Sequence, residues 1–288
     1  MVAKKLDGEL VAAEIRRDLV GRIESLVAKG VRPGLGTVLV GDDGPSAKYV
    51  AMKHRDAEEL GVASMHRHLS ADVTQAAVAE TVAALNADPN VDAFLLQYPF
   101  PAGLDYAEAL SAVDPEKDVD GLHPVNLGRL VMDEPGPTPC TPAGIERLLA
   151  YYDIPVAGRH VVIVGRGLTI GRPLANLLSR KAPTANAAVT VVHTGVADIA
   201  AYTTQADILV AAAGTPGLIS AEMVKPGVVV VAAGVSFVEG KLVSDVQPEV
   251  AEVAAWLSPR VGGVGPMTRA MLFANTVSAA ERRAGLRT

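Results

Sequence analysis

The stretch His160-Val-Val-Ile-Val-Gly-Arg-Gly-Leu-Thr-Ile-Gly171 constrains the fold of this chain more than any other. Val161 to Val164 is a β-branched run of strand length, apolar on both faces, as a buried parallel strand must be. Gly165, Gly167 and Gly171 follow it. Arg172 to Lys181 then reads as a helix, with Pro173 near its first turn, where a missing N–H costs little. Strand, glycine turn and helix together seat a dinucleotide pyrophosphate on a helix N-terminus. The spacing G-x-G-x-x-x-G is one residue longer than the common fingerprint. Glycine turns between strand and helix also occur in α/β proteins that bind no nucleotide.

The next strand sharpens this reading. Ala188-Val-Thr-Val-Val192 is where an NAD-binding unit carries its second strand, usually ending in an acid that bonds the ribose 2′-hydroxyl. Here the strand runs into His193-Thr194-Gly195, with no carboxylate. Arg166 lies inside the glycine turn. A missing acid and an available guanidinium favour a 2′-phosphate, and so NADP over NAD.

The chain has 288 residues, room for two domains with large cores. With 49% hydrophobic and 20% charged residues it reads as an ordered globular protein. A net charge of −6 leaves no electrostatic footprint for nucleic acid. No run of 18 apolar residues points to a membrane span. The N-terminus, Met-Val-Ala-Lys-Lys-Leu-Asp-Gly, has no apolar signal core. The one cysteine, Cys140, reads as a small packed residue, and a cytoplasmic location is expected.

Along the chain, Glu9–Lys29 has helical spacing and Leu35–Val40 reads as a strand. A loop from Gly41 to Pro45 follows, with Ser46 as the cap of a helix reaching Leu60. Val62–Leu69 is a strand, Thr74–Asn86 a helix and Val91–Gln97 a third strand. This alternation predicts a parallel sheet. Residues 98–142 contain eight prolines and read as a loop or domain boundary. Thr141-Pro142 opens a helix through Ala150. Later strands are expected at Asp207–Ala211, Val228–Val231 and Lys241–Ser244, and a last helix at Thr268–Arg283.

Candidate chemistry gathers at strand ends. Tyr49 and Lys53 lie four apart, on one helix face. Gln97 ends the third strand, at the edge where open parallel sheets bind ligands. Asp118, Asp120 and His123 lie in the proline-rich stretch. His54 and His123 have no partners at metal-ligand spacing. These residues alone give an NADP-dependent two-domain enzyme. A hydroxy- or keto-acid dehydrogenase with a Lys–Asp pair and a non-catalytic nucleotide-binding protein both stay open.

Six motifs, taken in order, are more specific. They are Tyr49-Val-Ala-Met-Lys53, Gln97-Tyr-Pro-Phe-Pro101, Asp114-Pro-Glu-Lys-Asp-Val-Asp-Gly-Leu-His-Pro124, Pro139-Cys-Thr-Pro142, Gly165-Arg166 with Gly171-Arg-Pro173, and Gly262-Gly-Val-Gly-Pro-Met-Thr268. Across essentially the whole chain they resemble the bifunctional methylenetetrahydrofolate dehydrogenase/methenyltetrahydrofolate cyclohydrolase family. The resemblance implies two α/β domains flanking a cleft, the second a Rossmann-type NADP-binding domain with a mostly parallel sheet. The first domain would be 1–140, completed by a C-terminal helix within 268–288, and the second 141–267. It also implies a homodimer acting on tetrahydrofolate derivatives. Lys53 would be the catalytic lysine, with Tyr49 and Gln97 its companions. Asp120 would anchor the pterin, and Gly262, Gly263 and Pro266 would line the folate site. Gly165, Arg166, Gly167, Thr169, Gly171, His193, Thr194, Gly214 and Thr215 would bind the cofactor, and no metal is expected.

The sequence departs from the family pattern in four places. Gly167 replaces a serine, with Thr169 as a substitute hydroxyl. Ala232-Ala-Gly-Val-Ser236 replaces Asp-Val-Gly-Ile-Asn. Arg260-Val261 replaces Val-Pro, and His193-Thr-Gly195 replaces His-Ser-Lys. None of these touches Lys53, Gln97 or Asp120.

Overall fold

A computed structural model describes residues 2–286 of the chain, and two units can be distinguished in it. One comprises the chain up to Ala13, Leu130–Asp133 and Thr141–Met271. The other comprises Glu14–Arg129, Glu134–Cys140 and the chain from Leu272.

The chain begins with a two-residue strand, β1 (Lys4–Lys5), and helix α1 (Gly8–Val27). Then β2 (Gly34–Val40), α2 (Gly44–Leu60), β3 (Ala63–Leu69), α3 (Gln75–Ala87) and β4 (Ala93–Leu96) alternate. Strand β2 pairs in parallel with β3 on one side and β4 on the other. It is buried along its whole length, as a central parallel strand under crossover helices must be. Val38, Val40, Phe94 and Leu96 of the sheet pack with Val78, Val82 and Leu85 of α3. One local expectation is corrected. Ser46 is not the cap of α2; Asp43 is, and its carboxylate accepts the Ser46 N–H at 2.9 Å.

The stretch 98–142 also departs from its reading as loop. It contains α4 (Tyr106–Ser111) and α5 (Pro124–Met132). Asp105 caps α4 through the Glu108 N–H at 3.0 Å. Pro124 opens α5 at a position that needs no N–H. Prolines that start helices give the same local signal as prolines that break them.

After α6 (Cys140–Tyr151) come β5 (His160–Val164), α7 (Gly171–Ser179), β6 (Ala188–Val192), the short α8 (Ala200–Thr203), β7 (Ile208–Ala211) and β8 (Val229–Ala232). A hairpin of β9 (Val235–Val238) and β10 (Lys241–Ser244) follows, then β11 (Trp256–Leu257) and α9 (Val264–Arg283). The six-stranded sheet has the order β1-β11-β8-β7-β5-β6, with every pairing parallel. Strand β5 lies between β6 and β7, so the chain reverses direction across the sheet at its end. That is the switch point where open α/β sheets receive ligands. Strand β9 was not expected; it pairs antiparallel with β10 through Glu239 and Gly240, both at positive φ. Helix α7 ends at Ser179, short of Lys181. Helix α9 begins at Val264, ahead of Thr268, with Pro266 in its first turn.

Candidate active site

In the unit built on β2, helix α2 carries Tyr49 and Lys53 one turn apart. Its start is fixed by the Asp43 cap and Pro45, its end by Gly61 in the left-handed conformation. The Lys53 Nζ donates to Gln97 Oε1 at 3.1 Å. Gln97 Nε2 in turn donates to the Tyr98 carbonyl at 2.8 Å, so the amide oxygen faces the amine. Tyr49 is exposed.

Asp120 arrives on the segment after α4. Residues 117–119 run beside β4: Phe94 N–H donates to the Lys117 carbonyl at 2.8 Å, and Val119 N–H to the Phe94 carbonyl at 3.3 Å. The two carboxylates of this segment then differ sharply. Asp118 is buried and accepts from Gly121 N–H (3.1 Å), His123 N–H (2.7 Å) and Asn126 Nδ2 (2.9 Å). It staples the loop. Among the described residues no hydrogen-bond donor acts on the Asp120 carboxylate, and the cation that acts on it is Lys53.

Burial pushes the Lys53 amine below the ordinary lysine range, opposed by Asp120. Burial likewise raises the Asp120 carboxyl, opposed by Lys53. Desolvation therefore moves both groups toward their neutral forms, while each charge partly restores the other.

Three neighbours were not singled out from sequence as part of this site. Cys140 is buried, its Sγ donating to the Val119 carbonyl at 3.2 Å. Burial, then Asp120 and Asp118, hold its thiol well above the ordinary range, so it stays protonated. Tyr106 meets Tyr98 and Phe100 edge-on, and burial followed by Asp120 raises its phenol. The density of aromatics between Tyr98 and Tyr106 was the only local hint of that cluster. His54, beside Lys53, shares the buried Thr37 hydroxyl with His66, each ring nitrogen at 2.9 Å. Among the described residues no group of His, Cys, Asp or Glu could hold a metal.

In the other unit, the glycine turn is sterically defined. Gly165 has φ 130°, and a Cβ there would lie 2.1 Å from the Ala212 carbonyl oxygen. A Cβ on Gly171 would lie 2.1 Å from the Gly165 carbonyl oxygen. Gly167 faces open space, and Arg166 and Thr169 are exposed beside it. Ile170 precedes α7 and gives it no side-chain cap; Arg172 N–H donates to the Gly167 carbonyl at 3.2 Å and Pro173 has no N–H, which leaves the Gly171 amide for an outside acceptor. His193 and Thr194 follow β6, and Gly214 and Thr215 follow β7, on the two sides of the switch point. A backbone cradle too tight for side chains, ending in the Gly171 amide at a helix start, fits a dinucleotide pyrophosphate. In the same unit, Gly262 accepts the N–H of Gly8 at 2.8 Å, a Cβ on Gly263 would strike the Pro259 carbonyl, and Pro266 is buried.

A parallel unit with a desolvated lysine beside an open carboxylate, and a doubly wound sheet with a glycine cradle at its switch point, define a nucleotide-dependent two-domain enzyme. Comparison with known proteins narrows the class. Residues 6–120 match the family model of the tetrahydrofolate dehydrogenase/cyclohydrolase catalytic domain, and residues 139–284 that of the NAD(P)-binding domain. The chain belongs to the tetrahydrofolate dehydrogenase/cyclohydrolase family. Bifunctional protein FolD of Syntrophotalea carbinolica is 54% identical over 284 residues, 99% of this chain and 98% of its own. The crystal structure of the FolD dehydrogenase/cyclohydrolase from Campylobacter jejuni is 39% identical, with a TM-score of 0.94, over 98% of this chain and 99% of that one. The Trypanosoma brucei FolD, solved with NADP and an inhibitor, is 38% identical, with a TM-score of 0.93, over 99% of each chain. The chain is therefore a bifunctional methylenetetrahydrofolate dehydrogenase and cyclohydrolase, and the hydroxy-acid and non-catalytic readings fall away.

Proposed function

We propose that Lys53, Gln97, Tyr49 and Asp120 carry the folate chemistry and that the cofactor is NADP. The enzyme would oxidise 5,10-methylenetetrahydrofolate to the methenyl form and hydrolyse that to 10-formyltetrahydrofolate, as a cytoplasmic homodimer serving purine biosynthesis. The observation that carries the residue roles is the desolvated Lys53 amine, held at 3.1 Å by a neutral amide oxygen.

Bound NADP supplies the hydride acceptor; the chain supplies alignment for that step. Oxidation leaves a cation spread over two folate nitrogens, and water attacks it. The attacking water must lose both protons as its oxygen becomes the formyl carbonyl, one reaching the departing nitrogen and one leaving to solvent. Lys53 serves both transfers, because burial brings its amine closer to the neutral form. Gln97 holds the amine without locking it as ammonium, as a carboxylate at the same distance would. Asp120, with no intramolecular donor spent on it, accepts the pterin N–H groups. Tyr49 presents an exposed ring and hydroxyl one turn from the amine. Gly262, Gly263 and Pro266 complete the folate contacts. Gly165 and Gly171, with the Gly171 amide at the start of α7, hold the pyrophosphate. Arg166, with Thr169, His193 and Thr194, reads the ribose phosphate, and Gly214 and Thr215 line the cofactor's other side. The unit running from Glu14 is then the folate-binding catalytic domain, and the unit containing Thr141–Met271 the cofactor domain.

Lys53→Met tests this reading. Hydride transfer moves no proton to or from the enzyme, whereas hydrolysis does. The variant should lose cyclohydrolase activity by about 10²–10⁴-fold. It should retain more of the dehydrogenase, so methenyltetrahydrofolate accumulates. NADPH and 10-formyltetrahydrofolate are followed separately, with NADP and NAD compared in the wild type. Equal loss of both activities reduces Lys53 to alignment, and a wild type that prefers NAD refutes the cofactor choice.

A further inference from the structure

Asp245 is completely buried, one residue past β10. Its Oδ2 accepts the Ala213 N–H at 2.7 Å and the Gly214 N–H at 2.9 Å, and the Thr215 amide acts on the same carboxylate. Its Oδ1 is buried without a hydrogen-bond partner among the described residues. Gly234 is fitted against it: a Cβ there would lie 1.8 Å from Oδ2. No charged side chain is among the influences on this carboxylate from the described residues; it is met by main-chain amides alone. Burial raises its pKa, opposed by those amides.

A buried anion with an idle oxygen costs stability, because its desolvation is incompletely repaid. Such a group persists where its charge serves something else. The amides it grips belong to the loop leaving β7. That loop is also the wall of the glycine turn, since the Ala212 carbonyl occupies the space a Gly165 side chain would need. Ser236 Oγ closes the other side by donating to the Gly214 carbonyl at 2.8 Å.

We infer that Asp245 is a positioning residue for the cofactor: as a carboxylate it gathers the Ala213, Gly214 and Thr215 amides and so sets the wall against which the glycine turn presents the dinucleotide. This rests on the cofactor reading proposed above. Asp245→Asn keeps the side-chain size and one acceptor oxygen but removes the charge. NADP affinity of the full-length wild type and variant is measured by calorimetry across pH, without folate, together with the melting temperature of each free protein.

At neutral pH the variant should bind NADP about tenfold more weakly or worse, the scale of losing charge-assisted bonds. The ratio of the two affinities should shrink toward one as pH falls and wild-type Asp245 takes up its proton. Comparing the two proteins cancels any titration of NADP itself. Because folding raises the Asp245 pKa, its charge opposes folding above the ordinary aspartate range. The free variant should therefore melt no lower than wild type. Equal affinities at neutral pH overturn the inference. So does a variant that melts several degrees lower with an affinity ratio independent of pH, since Asp245 is then merely structural. If Asp245→Asn does not fold, the same ratio is read from Asp245→Ser. A wild type that binds neither NADP nor NAD refutes the cofactor reading before any variant is made, and the inference with it.

Discussion

Asp118 and Asp120 stand two residues apart with opposite assignments of their oxygen lone pairs, and this decides what their variants do. Asp120→Asn removes the negative charge that holds the Lys53 pKa up. In the proposed mechanism the catalytic form is the neutral amine, whose fraction grows as pH rises through that pKa. The rising limb of the cyclohydrolase rate should therefore lie below the ordinary lysine range in wild type and move to still lower pH in Asp120→Asn. The folate KM should rise at least about tenfold as charge-assisted bonds are lost. Asp118→Ala should leave the limb in place and lower stability by roughly 1–3 kcal/mol, since three buried donors are left without an acceptor. A pH–rate profile for each variant, with denaturant unfolding, separates the two roles. Spacing picks out Lys53 on a helix face and Gln97 at a strand end, whereas Asp120 is told from Asp118 only by the family resemblance. Neither could pick out Tyr106 or Asp245. The partners of Asp245 are amides some thirty residues away in a loop that carries no charge of its own.

Among the elements, α2 bears both Tyr49 and Lys53, and its start depends on one side chain. Asp43 accepts the Ser46 N–H, and its pKa is lowered by the Ser46 side chain first and by that N–H second. Asp43→Ala should cost about 1 kcal/mol of stability. The cap contribution is present above the ordinary aspartate range and is lost as pH falls through the lowered value, so variant and wild type should converge in acid. Urea unfolding at neutral and acid pH checks both statements. Elements with a strong apolar period, from α1 through β4, were readable to within a residue or two. Those missed lacked such a period. Strands β1 and β11 are two residues long and exist only by pairing with each other, with β11 also bound to β8. Strand β9 is an exposed hairpin arm. Helices α4 and α5 are short and sit among prolines.

At the scale of the whole molecule, the proposed roles make hydrolysis depend on the lysine-bearing unit and hydride transfer depend also on the glycine turn of the other. Gly165→Ala places a methyl 2.1 Å from the Ala212 carbonyl oxygen, at a φ that alanine rarely adopts. The variant should lose NADP binding and dehydrogenase activity by at least about tenfold, on the scale of strain in a functional turn. It should still hydrolyse methenyltetrahydrofolate supplied to it, because that step uses water and Lys53. Parallel loss of both activities in a folded variant would refute this division. Measuring each half-reaction with its own substrate is enough to tell.

The lysine-bearing unit is assembled from distant parts of the chain, and this sets an order on its biosynthesis. Asn275 on α9 donates to the Val119 carbonyl at 2.8 Å and to the Thr138 carbonyl at 3.0 Å. Arg283 pairs with Asp92, and Glu281 with Arg22. On a translating ribosome the Val119 carbonyl waits for a donor encoded 156 residues later, a delay of roughly 10–30 s. By then the nucleotide unit, which closes at Met271, has all its residues. Most of the catalytic unit is thus among the first parts of the enzyme to be made, and it is the last to be finished.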